Sequence, residues 1–152
     1  MMIVKIIITV TATLLFFTSL PVRSYADEDA GVIIVNAKSS ITELTKKEVM
    51  KLFFGKMKKL EGNTKAEPIF QLSSLPIHSL FRNVVLNRTQ KQLASYIAIQ
   101  VFSGHMSKIT LAGSSQEVID LISMNPGGVG YIESSNVTEL VKVVYLFSPV
   151  AD

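Results

Sequence analysis

Apolar runs alternate with amphipathic segments along most of this chain. The runs at 32–36, 69–72, 129–132 and 141–146 show little alternation with polar residues, which is typical of strands covered on both faces. Between them lie segments whose apolar residues recur every three or four positions, as on one face of a helix. Strands that alternate with helices predict an α/β domain with a central mixed or parallel sheet flanked by helices.

Three helix starts are marked by capping boxes, in which a hydroxyl residue precedes Glu or Gln by three positions. They occur at Thr45–Glu48, Thr89–Gln92 and Ser114–Glu117. The second box opens a helix whose predicted buried face carries four apolar or aromatic side chains, Leu93, Tyr96, Ile97 and Val101.

Residues 1–26 have the layout of a secretory signal peptide. Lys5 gives a basic start, an apolar run extends from Ile6 to Leu20, and small residues at 24 and 26 fit a signal peptidase site. The run is short for a membrane-spanning helix, which needs about 20 residues. We therefore predict a periplasmic or secreted protein in which residues 27–152 form one domain.

Charge and cysteine content narrow the function. The predicted mature part has 13 basic and 12 acidic residues, a balance that gives no support to nucleic-acid or membrane-surface binding. The chain has no cysteine, and its two histidines, His78 and His105, are far apart. We therefore expect no disulfide, no metal site and no cofactor.

The most informative stretch is the junction at 67–81, which predicts a strand, a two-serine turn and a helix that starts at Pro76. Free backbone N–H groups at such a start attract anions. Ser73 and Ser74 supply hydroxyls, and His78, predicted on the polar face of the helix, would assist when protonated. The alternative is that the serines merely cap the helix.

Two further serines, Ser39 and Ser40, follow the first strand. They would join the site if the carboxyl end of that strand neighbours the end at Leu72, and are otherwise ordinary loop residues. No motif indicates catalysis, since Ser74 and His78 have no acid placed to orient the imidazole. We therefore predict no enzymatic activity.

Three motifs resemble those of periplasmic phosphate-binding proteins of ABC transporters and their small single-domain relatives. The segments Phe53-Phe54-Gly55-Lys56 and Phe102-Ser103-Gly104 are similar to that family's Ile-Phe-x-Gly-Lys and Phe-Thr-Gly. The run 125–132 is similar to its Pro-Gly-Ala-Ile-Gly-Tyr-Val, the most specific of the three. The resemblance spans nearly all of residues 31–146 and implies one lobe of a two-lobed binding protein.

The resemblance implies non-catalytic recognition of a small oxyanion such as phosphate, linked to ABC-type uptake, with a membrane transporter or envelope protein as partner. This chain departs from the family pattern where Gln71 stands near an arginine position and Leu75-Pro76 replaces a glycine-containing tip. The alternative is an envelope protein-interaction module that has kept the fold and lost the ligand, with the loop from Lys56 to Lys65 as a contact. Pairing of two copies into a closed cleft stays open.

Overall fold

The structure is a computed structural model that describes residues 30–149. The predicted signal peptide, 1–26, lies outside the described residues. None of the helices within 30–149 has the length and apolar character needed to cross a bilayer.

Strands and helices alternate along the chain as the hydrophobic pattern predicts. Helix α2 continues directly into a π-helical turn, Arg82–Leu86, and short 3₁₀ turns lie at Glu61–Asn63 and Ser134–Asn136. In chain order the main elements are β1 (Gly31–Asn36), α1 (Lys46–Phe53), β2 (Glu67–Gln71), α2 (Pro76–Phe81), α3 (Gln90–Phe102), β3 (Thr110–Ala112), α4 (Ser115–Met124), β4 (Gly128–Glu133) and β5 (Val141–Phe147).

The five strands form one mixed sheet in the order β3-β2-β4-β1-β5. Strand β2 runs parallel to β3 and β4, whereas β1 runs antiparallel to both β4 and β5. The predicted α/β class with a central mixed sheet is confirmed.

Helices cover both faces of the sheet, and each face has its own core. On one face, a cluster of aromatic rings joins α1 and α2 to the sheet, with Phe81 stacked on Tyr131 at a centroid distance of 4.0 Å. On the other face, α4 places Val118, Ile119 and Ile122 on the sheet. Side chains of β1 alternate between the two cores, which explains why that strand is apolar throughout.

Two glycines allow contacts that a side chain would block. A Cβ atom at Gly130 would lie 2.5 Å from Cγ1 of Val118, so glycine lets α4 pack directly on β4. At Gly127 a Cβ atom would lie 1.9 Å from the carbonyl oxygen of Lys65, where two backbones cross. The carbonyl oxygen of Gly127 accepts a hydrogen bond from the N–H of Glu67 at 2.8 Å.

Helix α3 packs less completely than its sequence predicts. Of the four side chains expected on its buried face, only Leu93 is buried, and Val101 is exposed. Tyr96 and Ile97 are half-buried, and the hydroxyl of Tyr96 donates to the carbonyl oxygen of Phe54 at 2.9 Å. The prediction for Val101 is wrong because the helix lies over one margin of the sheet, beside the three-residue strand β3.

Candidate functional site

Three parallel strands end at the same edge of the sheet. Gln71 closes β2, Ala112 closes β3 and Glu133 closes β4. Helices α2 and α4 start just beyond the first two of these ends. Open α/β sheets bind ligands at such carboxyl ends, because helix starts and loops converge there. We refer to this side as the carboxyl edge.

The turn before α2 carries two of the predicted site residues, Ser73 and Ser74, and both are exposed. The turn is closed by a hydrogen bond from the N–H of Leu75 to the carbonyl oxygen of Leu72 at 3.0 Å. Pro76 occupies the first turn of the helix, as predicted. The N-cap residue is Leu75, and no side chain caps the helix. The alternative, that the serines merely cap α2, is therefore wrong.

The two serines are consequently available as donors. Among residues 30–149, neither their hydroxyls nor their backbone N–H groups have a hydrogen-bond partner. Hydroxyls can donate or accept, and exposed N–H groups at the start of a helix attract negative charge. The arrangement can thus offer several neutral donors to a small anion at one point.

His78 is buried, so the prediction that it lies on the polar face of α2 is wrong. Only 4% of its surface is exposed. Its Nδ1 lies 2.8 Å from Oη of Tyr131, and its Nε2 lies 3.0 Å from Oε1 of Gln90. Oη of Tyr131 already accepts from the N–H of Gln71 at 2.8 Å, so its proton is directed at Nδ1 and the imidazole donates through Nε2.

Burial lowers the pKa of His78, because desolvation disfavours the imidazolium, and nearby Arg82 adds to the effect. The hydrogen bond to Gln90 acts in the opposite sense but is outweighed. Burial also raises the pKa of Tyr131, which keeps the phenol neutral. A neutral histidine bonded to a phenol and an amide forms no Ser–His pair with Ser74.

Gln71 is almost fully buried and supports β4. Its Nε2 donates to the carbonyl oxygen of Tyr131 at 2.7 Å and to Oγ of Ser115 at 3.2 Å. Ser115 in turn donates to the carboxylate of Glu133. Oε1 of Gln71 is buried and has no partner among the described residues. This chain of hydrogen bonds connects the ends of β2 and β4 through the start of α4.

An open cleft of about 580 Å³ lies along the carboxyl edge. It is bounded by Gln71 and Leu75 on one side and by the start of α4 on another. The segment 133–138 closes it, and the carboxylate of Glu133 accepts from Nδ2 of Asn136 at 2.9 Å. None of the described residues that line the cleft is Lys, Arg or His. Recognition there depends on neutral donors and acceptors.

Ser39 and Ser40 lie at the opposite edge of the sheet. Because β1 runs antiparallel to β4, and β4 runs parallel to β2, the carboxyl end of β1 is far from that of β2. The condition under which these serines would join Ser73 and Ser74 is therefore not met. Oγ of Ser39 instead accepts from the N–H of Ile41 at 3.2 Å, within its own loop.

Four residues that shape this edge were absent from the predicted site: Gln90, Ser115, Tyr131 and Glu133. Glu133 had a detectable signal, since it follows the predicted strand at 129–132, and Ser115 lies within the predicted capping box at Ser114–Glu117. Tyr131 and Gln90 had none, because their contacts with His78 join segments 53 and 12 residues apart in sequence.

The fold is similar to that of periplasmic binding proteins of known structure. No protein-family model matches the sequence, and no curated protein matches it. Solved structures do: an ABC-type phosphate transport receptor from Vibrio cholerae has a TM-score of 0.62 at 17% identity. The match covers 76% of this chain and 45% of the receptor.

Two further structures give the same result. PstS from Borrelia burgdorferi matches with a TM-score of 0.59 and 20% identity over 76% of this chain and 46% of its own. A Clostridium perfringens protein assigned as a phosphate ABC transporter substrate-binding protein was crystallised with bound phosphate. It matches with a TM-score of 0.63 and 16% identity over 76% of this chain and 44% of its own. The chain thus spans less than half the length of each, consistent with the predicted single lobe.

Proposed function

We propose that this protein is an extracytoplasmic, non-catalytic binding protein for a small phosphate-like oxyanion, associated with ABC-type phosphate uptake. The observation that carries the proposal is the turn before α2, where Ser73 and Ser74 are exposed and their hydroxyls and N–H groups have no hydrogen-bond partner among the described residues. The likeness to solved structures supports the ligand class, since two of the three neighbours described above are named for phosphate.

In this proposal the anion is held by neutral donors. Ser73 and Ser74 donate through their hydroxyls, and the N–H groups of the same turn contribute along the positive pole of the helix. A hydrogen bond to a charged group contributes about 1.5–3 kcal/mol. His78 does not act as a cation; it is a neutral, buried side chain that supports α2. Ser39 and Ser40 take no part.

The test is a calorimetric titration of phosphate into the protein at pH 7.5, with sulfate in parallel. Ser73→Ala and Ser74→Ala should each weaken phosphate binding by about ten- to a hundredfold, because one hydrogen bond to a charged oxygen is lost. Ser40→Ala is the matched control, since Ser40 is equally exposed but lies at the opposite edge of the sheet. Its affinity should equal that of the unmodified protein.

Absence of saturable heat at millimolar phosphate would contradict the proposal. So would an equal loss of affinity in Ser40→Ala, because the anion would then not be held at the carboxyl edge.

The second candidate is an envelope protein-interaction module that has kept the fold without the ligand. One observation favours it: the cleft presents the carboxylate of Glu133 and is lined by neither Lys nor Arg. A carboxylate repels an oxyanion, and no cation among the lining residues offsets it. In this case the same titration gives no heat with any anion.

A further inference from the structure

A second hollow lies at the other end of β2 and β3 from the carboxyl edge. It has a volume of about 280 Å³ and is bordered by the first residues of the two strands, Glu67 and Thr110. Three segments enclose it: the end of α1, the hairpin that precedes β2, and the loop between α3 and β3. Ser73 and Ser74 do not border it. We call this hollow the amino-edge cavity.

Backbone contacts hold the walls of the amino-edge cavity in place. In the hairpin, the N–H of Ala66 donates to the carbonyl oxygen of Lys58 at 2.9 Å. In the loop after α3, the N–H of Met106 donates to the carbonyl oxygen of Gln100 at 3.0 Å. The side chain of Met106 packs on Gly55, where a Cβ atom would lie 2.9 Å from its Cε. Each wall is thus tied to a helix or a strand, and the cavity is preformed.

Part of the lining is apolar. Leu52 and Phe70 are buried, and Met57, Met106 and Ile109 are half-buried. Two of these side chains are methionines, which are unbranched and adapt to the shape of a ligand. An apolar cavity of about 150 Å³ in another protein holds benzene. On that scale the amino-edge cavity has room for a body of roughly eleven non-hydrogen atoms.

The rest of the lining is mostly positive. Lys58, Lys65 and Lys108 border the cavity, against one carboxylate, that of Glu67. Both oxygens of this carboxylate are engaged, because Oε1 lies 3.5 Å from Nζ of Lys65 and Oε2 accepts from Nδ2 of Asn125 at 2.6 Å. In the part of the chain that the structure describes, Lys58 and Lys108 have no ion pair. Two ammonium groups therefore remain for an acidic ligand.

Apolar walls and lysines at one small cavity are complementary to an amphipathic acid. Burial of an apolar body against the walls is favourable and needs no exact geometry. The acid group is attracted by ammonium groups, which are compact charges on flexible stems. Walls that exclude water on one side strengthen this attraction over its value in bulk solvent. Inorganic phosphate lacks the body, and an amine would be repelled by the lysines.

We propose that the amino-edge cavity binds a small organic acid with an aromatic or short aliphatic body. Lys58 and Lys108 hold its acid group, and Met57 and Met106 contact its body. This site is separate from the carboxyl edge, and the inference holds whether or not an oxyanion binds at the start of α2.

The test follows methionine methyl signals of the full-length protein by NMR. Two of the six methionines, Met57 and Met106, border the cavity. Met124 is the internal control, because it is exposed on α4, which covers the other face of the sheet. The probe is 3-phenylpropionate, whose size matches the cavity. Its neutral analogue 3-phenylpropanamide and the amine 3-phenylpropylamine have the same aromatic body without the negative charge.

Titration with 3-phenylpropionate should shift the signals of Met57 and Met106 saturably and leave the signal of Met124 unchanged. The amide should bind about tenfold more weakly, because two attractions to ammonium groups are lost and an exposed ion pair contributes about two- to fivefold. The amine should give no saturable shift.

A pair of lysine variants tests the acid group separately. Lys58→Gln combined with Lys108→Gln should weaken binding of 3-phenylpropionate about tenfold, for the same reason. Lys91→Gln is the matched control, since Lys91 is also exposed but lies on α3 and does not border the cavity. Its affinity should equal that of the unmodified protein.

Three results would overturn the proposal. Unchanged signals of Met57 and Met106 at millimolar 3-phenylpropionate would show that the cavity takes no such ligand. Equal affinities for the acid and the amide would remove the role of the lysines. A shift of Met124 as large as that of Met106 would show non-specific binding over the surface.

Discussion

Two helices start at the same edge of the sheet, and their starts are built differently. At α4 the hydroxyl of Ser114 accepts from the N–H of Glu117 at 3.1 Å, and Oε2 of Glu117 accepts from the N–H of Gly113 at 2.6 Å. At α2 no side chain caps the helix, although two serines precede it. The start of α4 satisfies its own N–H donors, whereas the start of α2 leaves its donors to solvent or a ligand. Hydroxyl residues before a helix thus serve structure in one case and remain free for recognition in the other.

The largest effect on the free energy of unfolding is expected at Tyr131, whose hydroxyl contacts buried groups of β2 and α2. Tyr131→Phe removes the oxygen that accepts from the N–H of Gln71 and faces Nδ1 of His78. Two buried polar groups lose their partner, which should lower the free energy of unfolding by about 2–5 kcal/mol in urea denaturation. Tyr145→Phe is the control, because the half-buried hydroxyl of Tyr145 has no hydrogen bond to described residues, and its loss should stay below about 0.5 kcal/mol. Similar losses in both variants would show that Tyr131 supports nothing specific.

The second prediction concerns pH. Because burial holds the pKa of His78 below its ordinary 6.5, the unfolded chain takes up a proton before the folded protein does. Stability should therefore fall as pH decreases below about 6.5, by at most about 1.4 kcal/mol per pH unit. His78→Asn keeps an acceptor towards Tyr131 but cannot titrate, so its free energy of unfolding should change less between pH 7.5 and 5.5. An unaltered profile in His78→Asn would refute this role.

The smallest expected effect on the free energy of unfolding comes from variants that compare the two helix starts directly. Ser114→Ala removes the cap of α4 and should cost about 1 kcal/mol of unfolding free energy while phosphate affinity stays the same. Ser74→Ala should do the reverse, with unfolding free energy unchanged within about 0.5 kcal/mol, because that serine caps nothing. Urea denaturation and calorimetry of the two variants measure both quantities. The contrast fails if Ser74→Ala destabilises the protein as much as Ser114→Ala.

Local chemistry was predictable from the sequence. The capping boxes at Thr45 and Thr89 form as expected, with both reciprocal hydrogen bonds present. Pro76 occupies the first turn of α2, also as expected. Each of these features depends on residues within a few positions of one another, so the sequence contains all the information that is needed.

The candidate site required long-range information. The direction of β1 decides that Ser39 and Ser40 lie at the wrong edge, and nothing near those serines encodes that direction. His78 is polar and sits one helical turn from Arg82, which indicates an exposed face. Its contacts with Tyr131 and Gln90 make burial possible. Val101 shows the opposite error, since its apolar spacing indicates burial but it is exposed in the described part of the chain.

Gly127 has a consequence at the other end of the sheet. The backbone crossing beside Lys65, together with the hydrogen bond from Glu67, sets the pairing of Glu67 with Gly128 and of Pro68 with Val129. Successive side chains of a strand point to opposite faces, so a slip of one residue would turn Tyr131 towards α4 and bring a neighbour into its place. Gly127, which has no side chain, thereby determines which face of the sheet receives the phenol of Tyr131, four positions further along the chain. His78 requires the phenol on that face.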